Sequence, residues 1–254
     1  TTKYTKSSAE AMAKYVRTSK RLQRIHWDRT WIPDYLALQR HEEMLRCFLP
    51  AMQESTSLKE LDMELPRRGG PSNRAFENML TQNQNLRSLT LRCPSGLQED
   101  IANMATTLSG LKKNTTLREL TLDFMQGATA VPSILTSLRD HPLLRRLCLR
   151  GHVADLTGLE AVLRSDKSKI SELEIRESYD GDPPLGLTQV LQALGRHPTL
   201  AKLELRGYPL CRDEAREIRA LRVFALSYRP NERDKSHQDL DLGRQQSFNN
   251  KVLL

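Results

Sequence analysis

The feature that most constrains this chain is a phrase of the form Leu-x-x-Leu-x-Leu that returns along nearly its whole length. Allowing Ile, Met and Trp to stand for Leu, it occurs at Leu22/Ile25/Trp27, Leu58/Leu61/Met63, Leu86/Leu89/Leu91, Leu117/Leu120/Leu122, Leu144/Leu147/Leu149, Ile170/Leu173/Ile175 and Leu200/Leu203/Leu205. Successive first positions are 36, 28, 31, 27, 26 and 30 residues apart. A near-fixed period of this size means stacked supersecondary units, none of which can bury its own apolar face alone.

Each unit carries two hydrophobic periods. The last two apolar positions of the phrase are two apart, which puts them on one face of a short strand. The stretch before each phrase has spacings of three and four: Met12/Tyr15/Val16, Leu45/Phe48/Leu49, Phe76/Met79/Leu80, Ile101/Met104/Leu108, Val131/Ile134/Leu135/Leu138, Leu159/Val162/Leu163 and Leu187/Val190/Leu191/Leu194. Those side chains share one stripe of a helix. The unit is therefore helix, turn, strand, loop.

Two copies, "HPLLRRLCLRGH" from His141 and "HPTLAKLELRGY" from His197, show the punctuation. Pro142 and Pro198 mark the turn into the strand, since proline lacks a donor and discourages helix before it. Gly151 and Gly207 follow the strand, where a side chain would obstruct the turn. Ser7, Ser72 or Asn73, Thr157 and Asp213 stand where helix N-caps are expected. His141 and His197 are repeat-equivalent turn residues.

This pattern resembles the ribonuclease-inhibitor-like class of leucine-rich repeats, which also occurs in NLR receptors, tropomodulin and the GTPase activator of Ran. The resemblance spans about residues 7 to 210. It implies an α/β solenoid, a horseshoe of about seven repeats with parallel strands on the concave face and helices on the convex face. It also implies an Asn three residues after the last leucine of each phrase, but those places hold Thr30, Pro66, Pro94, Met125, His152, Ser178 and Tyr208. The exit loops are accordingly expected to be less regular than in the ribonuclease inhibitors.

The array is expected over residues 1–228, capped by the first helix and by residues 212–228. Residues 229–254 read as a polar, mostly disordered tail, in which Leu240 and Leu242 leave an eighth strand open.

Strands about 4.8 Å apart backed by helices about 10 Å wide must curve with the strands inside. The outward strand positions then form three columns on the concave face. The first is Arg24, Glu60, Ser88, Glu119, Arg146, Glu172, Lys202; the middle is His26, Asp62, Thr90, Thr121, Cys148, Glu174, Glu204; the third is Asp28, Glu64, Arg92, Asp123, Arg150, Arg176, Arg206. Three successive arginines end the third column, and adjacent like charges repel. Either Glu174 and Glu204 neutralise them in a salt-bridge ladder, or they form a stripe that takes a carboxylate or other anion.

Candidate partner-binding residues are Arg92, Arg146, Arg150, Arg176, Arg206, Glu174 and Glu204, with His152, Tyr179 and Tyr208 in the adjoining loops and Trp31 in the first loop. Aromatic and Arg side chains are the usual anchors of protein interfaces; loop packing is the alternative role for the aromatics. Trp27 falls on a strand core position and reads as structural. Replacing Arg150, Arg176 and Arg206 by Glu is expected to abolish binding and leave the melt almost unchanged.

The recognisable short catalytic motifs are absent: there is no P-loop, no GxGxxG after a strand, no HExxH and no GxSxG. Cys47, Cys93, Cys148 and Cys211 form no CxxC pair and are expected to be free thiols in a reducing compartment. No apolar run approaches the roughly 20 residues of a membrane span, and the first residues lack a signal-peptide core, so a cytoplasmic protein is expected.

The leading reading is a non-enzymatic, cofactor-free scaffold that binds a protein partner through the concave face and strand-exit loops, as a monomeric array or part of a larger receptor. The net charge is +8, and residues 1–50 hold ten Lys or Arg against five acids. This leaves nucleic-acid or anionic-surface binding as an alternative, less favoured because acids interrupt the basic stretch. A GTPase-activator-like regulator is the third reading, by class resemblance alone.

Overall fold

The computed structural model describes residues 6–27, 35–65, 71–93, 109–124, 131–151, 153, 155–176, 184–207, 212–221 and 225–229. Helices and strands alternate: α1 (Lys6–Thr18), β1 (Arg24–Trp27), α2 (Tyr35–Glu54), β2 (Glu60–Glu64), α3 (Pro71–Gln82), β3 (Ser88–Cys93), α4 (Ser109–Lys113), β4 (Glu119–Phe124), α5 (Val131–Ser137), β5 (Arg146–Gly151), α6 (Thr157–Leu163), β6 (Glu172–Arg176), α7 (Leu187–Gly195), β7 (Lys202–Arg206), α8 (Arg212–Ala220) and β8 (Ala225–Arg229). The strands form one parallel sheet in strict chain order. The fold is a leucine-rich-repeat solenoid.

All seven leucine phrases become strands in one register. Ile25, Leu61, Leu89, Leu120, Leu147, Leu173 and Leu203 lie side by side across the sheet, and so do Trp27, Met63, Leu91, Leu122, Leu149, Ile175 and Leu205. From Leu61 and Met63 onward these side chains are buried, whereas Ile25 and Trp27 at the first edge are only partly covered. Trp27 meets Phe48 edge-on, with ring centroids 4.9 Å apart. The helical stripes supply the opposite wall of the core, including Leu45, Phe48 and Leu49, then Phe76, Met79 and Leu80, then Val190, Leu191 and Leu194.

The first helix departs from its expected stripe. Ala9, Ala13 and Val16 are buried, while Met12 and Tyr15 face outward. Among the described residues α1 packs on α2 alone, and it turns its small side chains to that contact.

Two hydrogen-bond ladders tie unit to unit. At the entrances of β2 to β7 one carbonyl accepts two amides of the next unit, as Lys59 and Glu60 on Gln23 O, Arg118 and Glu119 on Arg87 O, and Ala201 and Lys202 on Ser171 O. The second ladder lies three residues before five of the seven leucine phrases, at Ser19, Asn83, Asn114, His141 and His197. Asn83 Oδ1 accepts the amides of Asn85 and Leu86 at 2.8 Å, and its Nδ2 donates to Met52 O at 2.7 Å. Asn114 repeats the arrangement with Thr116, Leu117 and Leu80 O. Ser19 Oγ takes the same amide pair in the first unit.

His141 uses Nδ1 for the same purpose, accepting from Leu144 N at 3.1 Å. His197, at the equivalent place, contacts Ser168 Oγ through Nε2 at 3.1 Å. The asparagines expected after the strand thus have counterparts before it. The seven positions after the strands lie outside the described residues.

Glycine marks the strand exit as expected: Gly151 and Gly207 have φ of +88° and +83°. A Cβ on Gly151 would sit 1.7 Å from Phe124 O, so the β4 exit passes directly over it. The helix-start expectations hold less well. At α6 the amide of Thr157 is taken by Asp155 Oδ1 at 2.8 Å, with no cap from Thr157 itself. Ser72 lies inside α3 and bonds Glu42 Oε2 at 2.6 Å.

Residues 212–228 do not form one capping helix. The helix ends at Ala220, and β8 pairs with β7 in register, Leu203 with Leu226 and Leu205 with Tyr228. The unit's phrase is Val223-x-x-Leu226-x-Tyr228, which a search for Leu, Ile, Met and Trp passes over. Leu240 and Leu242 lie outside the described residues.

Candidate functional site

The concave face is built by the strand residues that alternate with the leucine spine, and the parallel register makes its columns real. The first column runs Arg24, Glu60, Ser88, Glu119, Arg146, Glu172, Lys202; the middle runs His26, Asp62, Thr90, Thr121, Cys148, Glu174, Glu204. The third runs Glu64, Arg92, Asp123, Arg150, Arg176, Arg206 and is continued by Arg229 on β8. Arg229 takes its place in the column by backbone register alone, and the leucine phrase passes it over with the strand that carries it.

Over β5, β6 and β7 the columns are not equivalent. Arg146, Glu172, Arg176, Lys202, Arg150 and Arg206 are half-buried, while Cys148, Glu174 and Glu204 between them are buried. The long flanking side chains fold inward over the middle column. Glu174 Oε1 pairs with Arg176 Nε and lies 3.9 Å from Arg150 Nη2, and its Oε2 lies 3.3 Å from Arg146 Nη2. Glu204 Oε1 pairs with Arg206 Nε and lies 3.6 Å from Arg176 Nη2, with Lys202 Nζ 3.8 Å from Oε2. Arg176 is thus shared by both carboxylates.

This arrangement settles how adjacent arginines coexist. Each buried acid, with side chains 5% and 7% exposed, sits beneath three cations, and Arg176 and Arg206 each keep 33% of their side-chain surface. Glu174 and Glu204 hold the arginines in place from below; they are not surface groups a partner would meet. Burial alone would push the Glu174 carboxyl up, but Arg176, Cys148, Arg146 and Arg150 outweigh it and hold it below the usual carboxylate range.

The same geometry corrects the expected effect of charge reversal. Replacing Arg150, Arg176 and Arg206 by Glu would strand two buried carboxylates among new negative charges, and uncompensating a buried pair costs about 3–5 kcal/mol. The melt would fall.

Cys148 sits beside Glu174 in the register. Burial, with the Glu174 carboxylate adding to it, pushes its thiol up to about 11, so it stays protonated and unreactive.

At the other end of the sheet the columns are acidic. Asp62 Oδ2 accepts from Arg92 Nη2 at 2.7 Å and meets His26 Nδ1 at 2.8 Å, while Arg24 Nε meets Glu60 at 2.5 Å. Arg92 therefore belongs to a His26/Asp62 cluster two strands from Arg150, apart from the basic stripe. Across β1–β4 the three columns hold Glu60, Asp62, Glu64, Glu119 and Asp123 against Arg24 and Arg92. Across β5–β7 they hold five cations against Glu172, Glu174 and Glu204.

Trp31, His152, Tyr179 and Tyr208 lie outside the described residues. Among the described residues no group of three or more His, Cys, Asp or Glu is placed to hold a metal, and no helix is long and apolar enough to cross a membrane.

No protein-family model and no curated protein sequence matches the chain. Solved structures do. The tropomodulin C-terminal domain of Caenorhabditis elegans aligns over 63% of this chain and 92% of its own at 12% identity and a TM-score of 0.46. Leiomodin-1 actin-binding site 2 aligns over 63% of this chain and 87% of its own at 17% identity and a TM-score of 0.44.

Proposed function

We propose that this chain is a non-enzymatic recognition scaffold of the ribonuclease-inhibitor-like repeat class, and that it binds a protein partner through the concave face of β5–β8. The observation that carries the reading is the stripe Arg150, Arg176, Arg206, anchored from beneath by Glu174 and Glu204 while a third or more of each guanidinium side chain stays exposed. Arginines immobilised before binding lose little side-chain entropy on contact, and their planar forks suit carboxylates. The free thiols Cys47 and Cys148 fit a reducing compartment, and we place the protein in the cytoplasm.

The test is crosslinking in a cell extract with a photoreactive residue at Thr121 on the concave face or at Gln189 on α7. A partner protein is expected from position 121 alone. The variant Arg150→Gln/Arg206→Gln is expected to abolish that crosslink without unfolding the chain, because Glu174 keeps Arg146 and Arg176 and Glu204 keeps Arg176 and Lys202. Crosslinks from 189 only, or a partner indifferent to the arginine changes, would move the recognition surface to the helical face.

A further inference from the structure

The concave face is electrically divided along the direction in which the strands stack. Over β1–β4 its outward columns carry three more acids than bases. Over β5–β7 they carry two more bases than acids, and the register adds Arg229 on β8 to the basic side. The close ion pairs do not erase this division, because those within 4 Å are made inside each half: Arg24 with Glu60, Arg92 with Asp62, and the β5–β7 cations with Glu172, Glu174 and Glu204. Across the β4–β5 boundary Arg146 and Arg150 feel Glu119 and Asp123 only as longer-range attraction. Glu119 on the acidic side is exposed, accepts a 3.4 Å hydrogen bond from Ser88 and otherwise feels Arg146 through space.

We infer that the partner presents a bipolar segment, basic residues over β2–β4 followed by acidic residues over β5–β8. This rests on the concave-face reading above and specifies its ligand. Six strand spacings from β2 to β8 amount to about 29 Å, the length of an extended segment of about nine residues. Main-chain groups of inner strands are consumed by the parallel ladder, so side chains must read the segment. Uniformly acidic or basic ligands meet repulsion over half of the face, which disfavours them. The acids among the columns also make a continuous phosphate track a poor fit.

Three fluorescent peptides test the inference against the full chain at low salt: (Lys-Ser)3-(Glu-Ser)3, (Glu-Ser)6 and (Lys-Ser)6. The block peptide is expected to bind at least tenfold more tightly than either uniform one. Glu60→Lys/Glu119→Lys changes two solvent-facing first-column positions; it is expected to weaken the block peptide about tenfold and strengthen the all-Glu peptide. An all-Glu peptide that binds the unaltered chain as tightly as the block peptide, yet loses affinity with Arg150→Gln/Arg206→Gln, overturns the bipolar inference and leaves the concave-face reading standing. Binding of all three peptides that ignores both double variants overturns the two together.

Discussion

Acid destabilisation through His141 is the most direct physical test of the repeat ladder. The ring is 3% exposed. Its Nδ1 accepts the Leu144 amide at 3.1 Å, which places the proton on Nε2, an atom with no hydrogen-bond partner among the described residues. Burial pushes the pKa down to about 4, whereas an unfolded histidine titrates near 6.5. Between these values the unfolded chain binds the extra proton, so stability rises with pH across the window and is lost as pH falls from about 6.5 to about 4. The loss from this residue is about 3 kcal/mol at the bottom of the window. His197 is shifted in the same direction by the same cause.

The informative variant is His141→Asn/His197→Asn. Asparagine already fills this place at Asn83 and Asn114, where Oδ1 takes the turn amides and Nδ2 reaches the carbonyl one unit back. Stability at pH 7.5 should therefore stay within about 1 kcal/mol of the original. Urea denaturation followed by circular dichroism at pH 7.5, 6.0, 5.0 and 4.5 should show a shallower acid limb in the variant. Carboxylates such as Glu174, held below their usual range, contribute to both proteins and cancel in the comparison. Parallel acid limbs would refute the assignment of the slope to buried histidine.

Other outcomes follow from the same packing. Leu147→Ala opens the fully buried spine between β4 and β6 and should lower unfolding free energy by about 2–5 kcal/mol, with amide exchange accelerating first in the adjoining strands. Gly151→Ala forces a side chain into left-handed backbone and onto Phe124 O; it should cost more than the 1–2 kcal/mol or so of the conformation alone, read by chemical denaturation. Cys148 should remain unalkylated by iodoacetamide at neutral pH in the folded protein and become labelled in urea, as mass spectrometry of its peptide would report.

The period of the leucine phrase was enough to read the helix–strand alternation and the column in which each outward residue lies, while the parallel sheet came from the family resemblance. That works because side-chain alternation in a strand has period two and neighbouring units stack in register, so spacing alone assigns a face. The phrase failed at its ends. β8 was passed over because Val223 and Tyr228 stand where leucines stand elsewhere, and the stripe of α1 shifted to its alanines because a terminal helix has one neighbour where inner helices have two.

What sequence spacing could not decide was how the columns interact. It placed Arg150, Arg176 and Arg206 side by side but left open whether acids or a ligand balance them. The tertiary structure decides it: adjacent parallel strands bring Glu174 and Glu204 beneath the guanidinium groups, where burial and several cations act on the same carboxylate. Such balance depends on distances of a few ångströms between units some 30 residues apart in the chain, and periodicity carries no information about which way a long side chain turns. The repeat specifies the frame; the fold alone sets which charges are left for a partner.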